Sequence, residues 1–451
     1  MMLVILVASS ASGSDAAATG PMQIDLKGAI EMALAANRTV LTSANNVANR
    51  ALSMRSVESD FDLKFIPSAG AGFTDDTDSA GVGITVSKKA KIGADLAVSP
   101  RLNWDGDNYF NEAAVSLEVP LLRGFGREKT LDTLNASRFS FSTSKRVHYL
   151  IRVSIAVRTV STVYDVVRQE ALVVLYEDQV QKLQGHSETA RVKEKIGMAD
   201  PIDVYRAEIR LKDAQSNLSS ALERMHNAVD SLKILVALPL ERPVRVTAPL
   251  FWTPVEIGPE NAVETALANR VELIQAKKEV VEADRRVRVA KHDLLPELDL
   301  VVDYQRRSLP DELDDSFDLG EESWQLSLQS QTDLTRSRER ANYQQRLNQL
   351  ASARLNLVSQ KQNVIQDVRQ ELNSLRKTEE RIRIRQAQIR QAEGKLELAR
   401  VKFNHGIADN FDVIEAETEL QQAQANLIGS TSDHIIGTYQ MRAALGTLIE
   451  R

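Results

Sequence analysis

Apolar side chains recur every seven residues along two paired stretches of the chain, one pair in each half. This spacing is typical of helices that pack along a coiled-coil seam. In the first half the spaced positions are Val153, Val160, Val167 and Val174, followed by Val204, Leu211, Leu218, Met225 and Leu232. In the second half they are Val368, Leu375, Ile382, Ile389, Leu396 and Phe403, followed by Val413, Leu420, Leu427, Met441 and Leu448. The pattern predicts one helical hairpin over residues 128–238 and another over residues 334–448.

Before each predicted hairpin, apolar residues alternate with polar ones. This alternation favours β-strands, because successive side chains of a strand lie on opposite faces. Val115, Leu117 and Val119 alternate with polar neighbours in the first half, as Leu326 and Leu328 do in the second. We expect strands near residues 64–122 and 295–331, each set preceded by short helices, near residues 25–36, 38–62, 259–268 and 270–294. An additional segment of the first half, residues 82–98 with Gly93 at its possible turn, either joins these strands or decorates their rim.

The two halves are related by an internal duplication. Residues 190–193, Ala-Arg-Val-Lys, recur as residues 399–402, and the same offset of 209 pairs Gly197 with Gly406 and residues 207–208 with residues 416–417. Repeats of this length indicate a duplicated domain rather than a short-period solenoid. We therefore divide the chain into a first repeat at residues 24–238, a linker at residues 239–258 and a second repeat at residues 259–450.

The start of the chain resembles an export signal. Residues 1–7 are apolar, and small residues follow as far as Gly20. An apolar core followed by small residues is the pattern of a secretory signal peptide, although the usual basic leader is missing. We predict a signal-peptide-like segment at residues 1–20, and the alternative is a disordered tail.

Composition and motifs exclude several classes of function. The 451 residues include 56 Lys and Arg against 62 Asp and Glu, and a net charge of −6 argues against a nucleic-acid partner. Cysteine is absent, which excludes disulfides and thiolate metal sites. The sequence contains no zinc motif, phosphate-binding loop or nucleophile elbow. We therefore expect no enzymatic activity, cofactor or metal site, and we interpret His434 as a hydrogen-bonded core histidine.

Several motifs, each weak alone, occur in an order that is specific. They are Leu-Leu-Pro-Glu-Leu at residues 294–298, Pro-Leu-Leu-Arg-Gly-Phe-Gly at residues 120–126, the hairpin turns at residues 197–207 and 406–416, and Ala-Leu-Gly-Thr-Leu at residues 444–448. With the duplicated order of helix, strands and hairpin, these motifs make residues 24–450 similar to the TolC-like outer-membrane efflux proteins (outer membrane factors).

The resemblance implies a mainly α fold with antiparallel β-structure, in which duplicated coiled-coil hairpins form an α-barrel. It also implies a homotrimer with a twelve-stranded transmembrane β-barrel, since four strands per chain cannot close a barrel alone. The implied function is passive conduction of substrate from an inner-membrane pump, across the periplasm and outer membrane, in a tripartite efflux or type I secretion system. The implied partners are a periplasmic adaptor (membrane fusion) protein, the pump and outer-membrane lipid. The alternative is a soluble coiled-coil structural or tethering protein, which explains the seven-residue spacing but not the strands.

The hairpin turns are the predicted adaptor docking sites. Gly197 and Gly406 suit helix ends, where a left-handed residue is common, and this structural role alone explains both glycines. The functional hypothesis adds that their neighbours Met198 and Ile407 are exposed to a partner helix.

Asp412 and Glu415 are the predicted acidic pore gate. They lie about a turn apart near the start of a returning helix, so both side chains can face one direction. The resemblance implies that acidic residues here point into the pore, where symmetry would gather them into a cation-favouring ring. In the alternative, Asp409 caps the helix and Asp412 only stabilises its first turn.

Overall fold

The computed structural model describes residues 21–73, 78–308, 313 and 319–450. The signal-peptide-like segment at residues 1–20 lies outside the described residues, and the repeat boundaries stay a prediction. Contacts divide the described chain into two compact units. The first comprises residues 21–41, Arg152–Ala262 and Val368–Glu450, and the second comprises Thr42–Ile151 and Val263–Asp367.

Helices and strands alternate in the order expected from the sequence pattern. The helices are α1 (Leu26–Ala36), α2 (Arg38–Glu58), α3 (Arg127–Thr130), α4 (Asp132–Lys195), α5 (Pro201–Leu235), α6 (Pro259–Asn269), α7 (Val271–His292), α8 (Ser337–Asn404) and α9 (Asn410–Leu445). The strands are β1 (Met22–Asp25), β2 (Lys64–Phe73), β3 (Asp78–Lys89), β4 (Asp95–Trp104), β5 (Tyr109–Pro120), β6 (Val244–Thr247), β7 (Asp299–Arg307) and β8 (Glu321–Gln329). The mainly α fold with antiparallel β-structure is thereby confirmed. No helix among the described residues is both long and apolar enough to cross a bilayer.

The second unit contains one antiparallel sheet, ordered β2-β3-β4-β5-β7-β8. The additional segment at residues 82–98 joins this sheet, because its alternating residues form parts of β3 and β4. Gly93 allows the tight turn between them with a φ of 110°, and its amide donates to the Ala90 carbonyl at 3.0 Å. The expected count of four strands per chain is therefore corrected to a sheet of six strands among the described residues. Three copies of this sheet would contain eighteen strands rather than twelve.

The first unit contains the far ends of both hairpins. The buried line of α5 is a ladder of alanines seven residues apart, at Ala207, Ala214, Ala221 and Ala228. Small side chains on this line let two helix backbones approach closely, so the ladder forms the seam. The larger residues Val204 and Leu211 pack only partly buried beside it, as part of the same cluster.

The linker between the repeats contacts the first strand and the last helix of the first unit. Its strand β6 pairs in parallel with β1, with Ile24 opposite Val246. Further along, His434 of α9 is completely buried, and its Nε2 donates to the Thr253 carbonyl at 3.0 Å. The Nδ1 atom of His434 lies 3.2 Å from the hydroxyl of Thr378. The interpretation of His434 as a hydrogen-bonded core histidine is confirmed.

Candidate functional site

The sheet of the second unit has one apolar face that runs across all its strands. Because the strands pair in register, residues of one row lie side by side on that face. The longest apolar row consists of Phe65, Val86, Val98, Val115, Tyr304 and Trp324. Trp324 at the end of this row is 77% exposed. An apolar surface this continuous is unfavourable in water and requires a lipid or protein partner.

The opposite face of the same sheet is polar. One of its rows consists of Ser87, Ala97, Ser116, Asp303 and Gln325. Polar side chains on this face bind each other, as Thr85 does with Ser99 at 3.1 Å and Gln305 with Glu112 at 2.5 Å. One lipid-facing and one water-facing side is the arrangement of strands in a transmembrane barrel.

Among the described residues, β2 and β8 are the two edge strands of the sheet and pair on one side only. An edge strand exposes a row of backbone donors and acceptors, which is a ready template for pairing with another chain. The edges carry large exposed apolar residues, among them Phe65, Phe73, Trp324 and Leu326. Within the described part of the chain, the two edge strands therefore offer both hydrogen-bonding groups and apolar area to a partner.

The predicted docking residues lie at the turns that join the hairpin helices. Gly197 and Gly406 have φ values of 77° and 70°, which allow the helices to end in left-handed turns. The amides after them close the turns, since Met198 donates to the Lys193 carbonyl at 2.8 Å and Ile407 donates to the Lys402 carbonyl at 2.9 Å. Met198 is 72% exposed and Ile407 is 76% exposed. The glycines thus have the structural role, and docking at the exposed side chains stays a prediction.

The predicted gate residues Asp412 and Glu415 both lie on the exposed surface of α9. Asp409 caps this helix by accepting a hydrogen bond from the Asp412 amide at 3.0 Å, as the alternative anticipated. Glu415 lies 3.7 Å from Lys395, which also pairs with Glu419 at 2.7 Å. The two carboxylates share an exposed surface, but a gating role stays a prediction.

The sequence pattern missed a charged cluster between the hairpins, beside these turns. His186 of α4 binds two residues of α9, with its Nε2 3.1 Å from Glu417 and its Nδ1 3.0 Å from the Asn410 side-chain oxygen. Asn410 in turn donates to the His186 carbonyl at 3.2 Å. Arg400 donates to the other oxygen of Glu417 at 2.6 Å.

The cluster shifts the protonation of its members. The hydrogen bond to Glu417 raises the pKa of His186, although burial and the nearby Arg400 oppose the change. Burial alone would raise the pKa of Glu417, but its hydrogen bonds to His186 and Arg400 bring that pKa below its usual value. Both shifts favour the charged pair. The duplication carried a signal for part of this cluster, because Arg191 and Glu208 are the repeat equivalents of Arg400 and Glu417 and pair at 2.5 Å.

Comparison with known proteins identifies the second repeat. Residues 262–447 match the family model described as outer membrane efflux protein. The resemblance to TolC-like efflux proteins is thereby confirmed, and the family comprises efflux channels rather than enzymes.

Curated relatives extend the match to outer membrane efflux proteins of known pumps. The chain is 20% identical over 251 residues to the solvent efflux pump outer membrane protein SrpC of Pseudomonas putida. This alignment covers 55% of the chain and 53% of the relative. The chain thus spans about half the length of the curated relatives it matches.

Solved structures of outer membrane channels share the fold. The outer membrane protein VceC of Vibrio cholerae aligns with a TM-score of 0.73 at 17% identity, covering 93% of this chain and 96% of VceC. The outer membrane channel CmeC of Campylobacter jejuni aligns with a TM-score of 0.74 at 16% identity, covering 94% of this chain and 86% of CmeC. The fold of these channels therefore extends over both repeats.

Proposed function

We propose that this protein is the outer-membrane channel of a tripartite efflux or type I secretion system. It resides in the bacterial outer membrane, extends into the periplasm and passively conducts substrate delivered by an inner-membrane pump. The observation that carries the proposal is the sheet with an apolar row across six strands and polar rows on its other face. A soluble coiled-coil tether has no use for such a surface. The family match and the shared fold support the same function.

Assembly follows from the unpaired edges of the sheet. β8 of one copy pairs with β2 of the next, which satisfies both edges and closes the sheet on itself. We propose a homotrimer, the number that the family resemblance implies. With six strands in each chain, the polar face then lines a lumen and the apolar face contacts outer-membrane lipid.

The proposed adaptor site and the proposed pore gate both lie near the hairpin turns. We propose that a periplasmic adaptor protein docks on the exposed side chains of Met198 and Ile407, beside the turn glycines Gly197 and Gly406. Asp412 and Glu415 form the acidic gate of the closed pore, in which symmetry multiplies their charge around the axis.

Neighbouring residues on β8 offer a sharp test of the membrane-facing sheet. Leu326 is on the apolar face and Gln325 is on the polar face, so arginine at each position samples opposite environments. Leu326→Arg should lower the yield of assembled protein in outer-membrane fractions, because a lipid-facing arginine costs roughly 2–4 kcal/mol near the bilayer centre. Gln325→Arg is the matched control and should assemble normally.

Purified assemblies of the wild type and of Gln325→Arg should also form conducting channels in planar bilayers. A wild-type protein that is extracted without detergent and forms no channel would contradict the proposal. Equal assembly of Leu326→Arg and Gln325→Arg would contradict the assignment of the two faces.

A further inference from the structure

The polar face of the sheet carries one row that contains two arginines. The register aligns six residues across the strands, and we call them the arginine row: Ser68, Gly83, Arg101, Glu112, Arg307 and Glu321. Arg101 and Arg307 are the only arginines on this face of the described strands. The row lies near the end of the sheet where β4 turns into β5, whereas the helices join the sheet at its other end. In the proposed channel, this row therefore lies near the outer mouth of the lumen.

Arg307 does not pair with the carboxylate that lies directly opposite it. Its register partner on β5 is Glu112. Glu112 instead accepts a hydrogen bond from Gln305 at 2.5 Å, and the Cζ atom of Arg307 lies 4.7 Å from the centre of the Phe110 ring. Phe110 is nearer to the mouth than Glu112, whereas Gln305 lies one row deeper in the sheet. The two opposite charges therefore diverge, with the arginine directed toward the mouth and the carboxylate toward the interior.

Arg101 is also directed away from Glu112. A Cβ atom added at Gly83, its partner on β3, would lie only 2.7 Å from the Cγ atom of Arg101. The Arg101 side chain therefore extends over the space that glycine leaves on β3, and not toward β5. Among the described residues, neither Arg101 nor Arg307 has an ion pair with a carboxylate, and both side chains are exposed. The row thus presents two guanidinium groups without an ionic partner in the described part of the chain.

This arrangement differs from the usual one, in which opposite charges on neighbouring strands stabilise a sheet by pairing. A guanidinium group without an ionic partner retains its capacity to bind a carboxylate through two parallel hydrogen bonds. The ring of Phe110 beside Arg307 adds an apolar surface against which another aromatic ring can pack. Together these groups suit a ligand that joins a carboxylate to an aromatic body.

We propose that Arg101 and Arg307 form a binding site for organic anions at the outer mouth of the channel. An aromatic carboxylate is the substrate class that fits, because its carboxylate binds a guanidinium group and its ring packs against Phe110. Glu112 does not compete for the arginines, since its hydrogen bond to Gln305 holds it toward the interior. Assembly repeats the pair of arginines around the lumen. This inference rests on the proposed channel function and adds a class of substrate to it.

Block of the single-channel current by 1-naphthoate tests the site in the full-length assembled protein. Naphthoate added to both sides of a planar bilayer should reduce the wild-type current, whereas the uncharged 1-naphthamide should not. Arg101→Gln with Arg307→Gln should weaken the block at least about tenfold, because the lost hydrogen bonds are charged ones. Arg306→Gln is the matched control, since Arg306 is equally charged and exposed but lies on the apolar face. This control should be blocked like the wild type.

Phe110→Ala separates the position of the arginine from its charge. The variant retains every charge of the arginine row, but Arg307 loses the ring that holds it and can turn to Glu112. We expect the block by naphthoate to weaken although the net charge of the lumen is unchanged. The same variant supplies the test if the double arginine variant does not assemble.

The outcomes distinguish the site from the channel. Channels that conduct but are not blocked by naphthoate would overturn the anion site and leave the channel function standing. Block that is equal in the wild type and in the double arginine variant or Phe110→Ala, or that Arg306→Gln weakens as much as the double variant does, would overturn the site in the same way. A wild-type protein that forms no channel would overturn both.

Discussion

At the residue scale, the most informative group is His186. It joins two helices from different hairpins through its ring, and its carbonyl accepts from Asn410 as well. A charged hydrogen bond shielded from water contributes more than an exposed ion pair, about 1.5–3 kcal/mol. The second repeat does not carry an equivalent histidine, because Lys395 stands at the position that corresponds to His186.

The His186–Glu417 pair should make stability depend on pH. The folded state raises the pKa of His186 above its unfolded value near 6.5, so the gain is complete below pH 6.5 and is lost as pH rises through the folded pKa. The lowered pKa of Glu417 contributes stability that is complete above its unfolded value near 4.5 and is lost as pH falls through the folded pKa. His186→Gln should therefore lower the thermal unfolding midpoint most between about pH 5 and 6.5, and the difference should shrink toward pH 9.

The matched control is His226→Gln, since His226 is exposed on α5. Its unfolding midpoint should follow that of the wild type at every pH. A difference for His186→Gln that stays constant from pH 5 to 9 would mean that the histidine contributes packing and not charge.

At the element scale, the seven-residue repeat of apolar residues predicted the helical hairpins. It was less successful at predicting which residues of the helices are buried in their contacts. The seven-residue spacing of large apolar residues predicted that these residues form the buried line of α5. The buried line consists instead of alanines, whose small side chains let two helices approach closely. Alternation did not predict whether residues 82–98 join the sheet, because it indicates which side chains share a face and not which strand pairs with which. The cluster at His186 was missed because it depends on contacts between residues more than 200 positions apart.

The hairpin turns are the elements that carry the docking proposal. The bulky replacements Met198→Trp and Ile407→Trp should abolish transport when combined with the pump and adaptor, because they disturb an exposed contact surface. The trimer yield should be unchanged, since neither side chain is buried. Val192→Trp, on an exposed part of α4 before the turn, is a control that should transport normally. Normal transport by both turn variants would remove the docking proposal.

At the scale of the whole molecule, assembly converts single features of a chain into repeated ones. An exposed carboxylate that matters little in one chain becomes part of a ring when copies surround an axis. The charge of Glu415 is partly offset by Lys395 in the single chain.

Single-channel recordings test the proposed acidic gate. Asp412→Asn with Glu415→Gln should weaken cation selectivity and block by multivalent cations, because the ring loses its negative charge. Asp409→Asn is the control, since asparagine still caps a helix and Asp409 is not a proposed gate residue. Unchanged selectivity together with a lower unfolding midpoint would assign Asp412 and Glu415 to helix stabilisation alone.

The parallel pairing of β1 with β6 has a consequence for biogenesis. Residues 22–25 find their partners only at residues 244–247, so the first strand must wait for more than half of the chain. Long-range pairing of this kind slows folding, because a large loop must close before the contact forms. During export the N-terminal strand would travel ahead of its partner with its backbone groups unpaired. The early part of the chain therefore keeps these backbone groups open to wrong partners until the linker arrives.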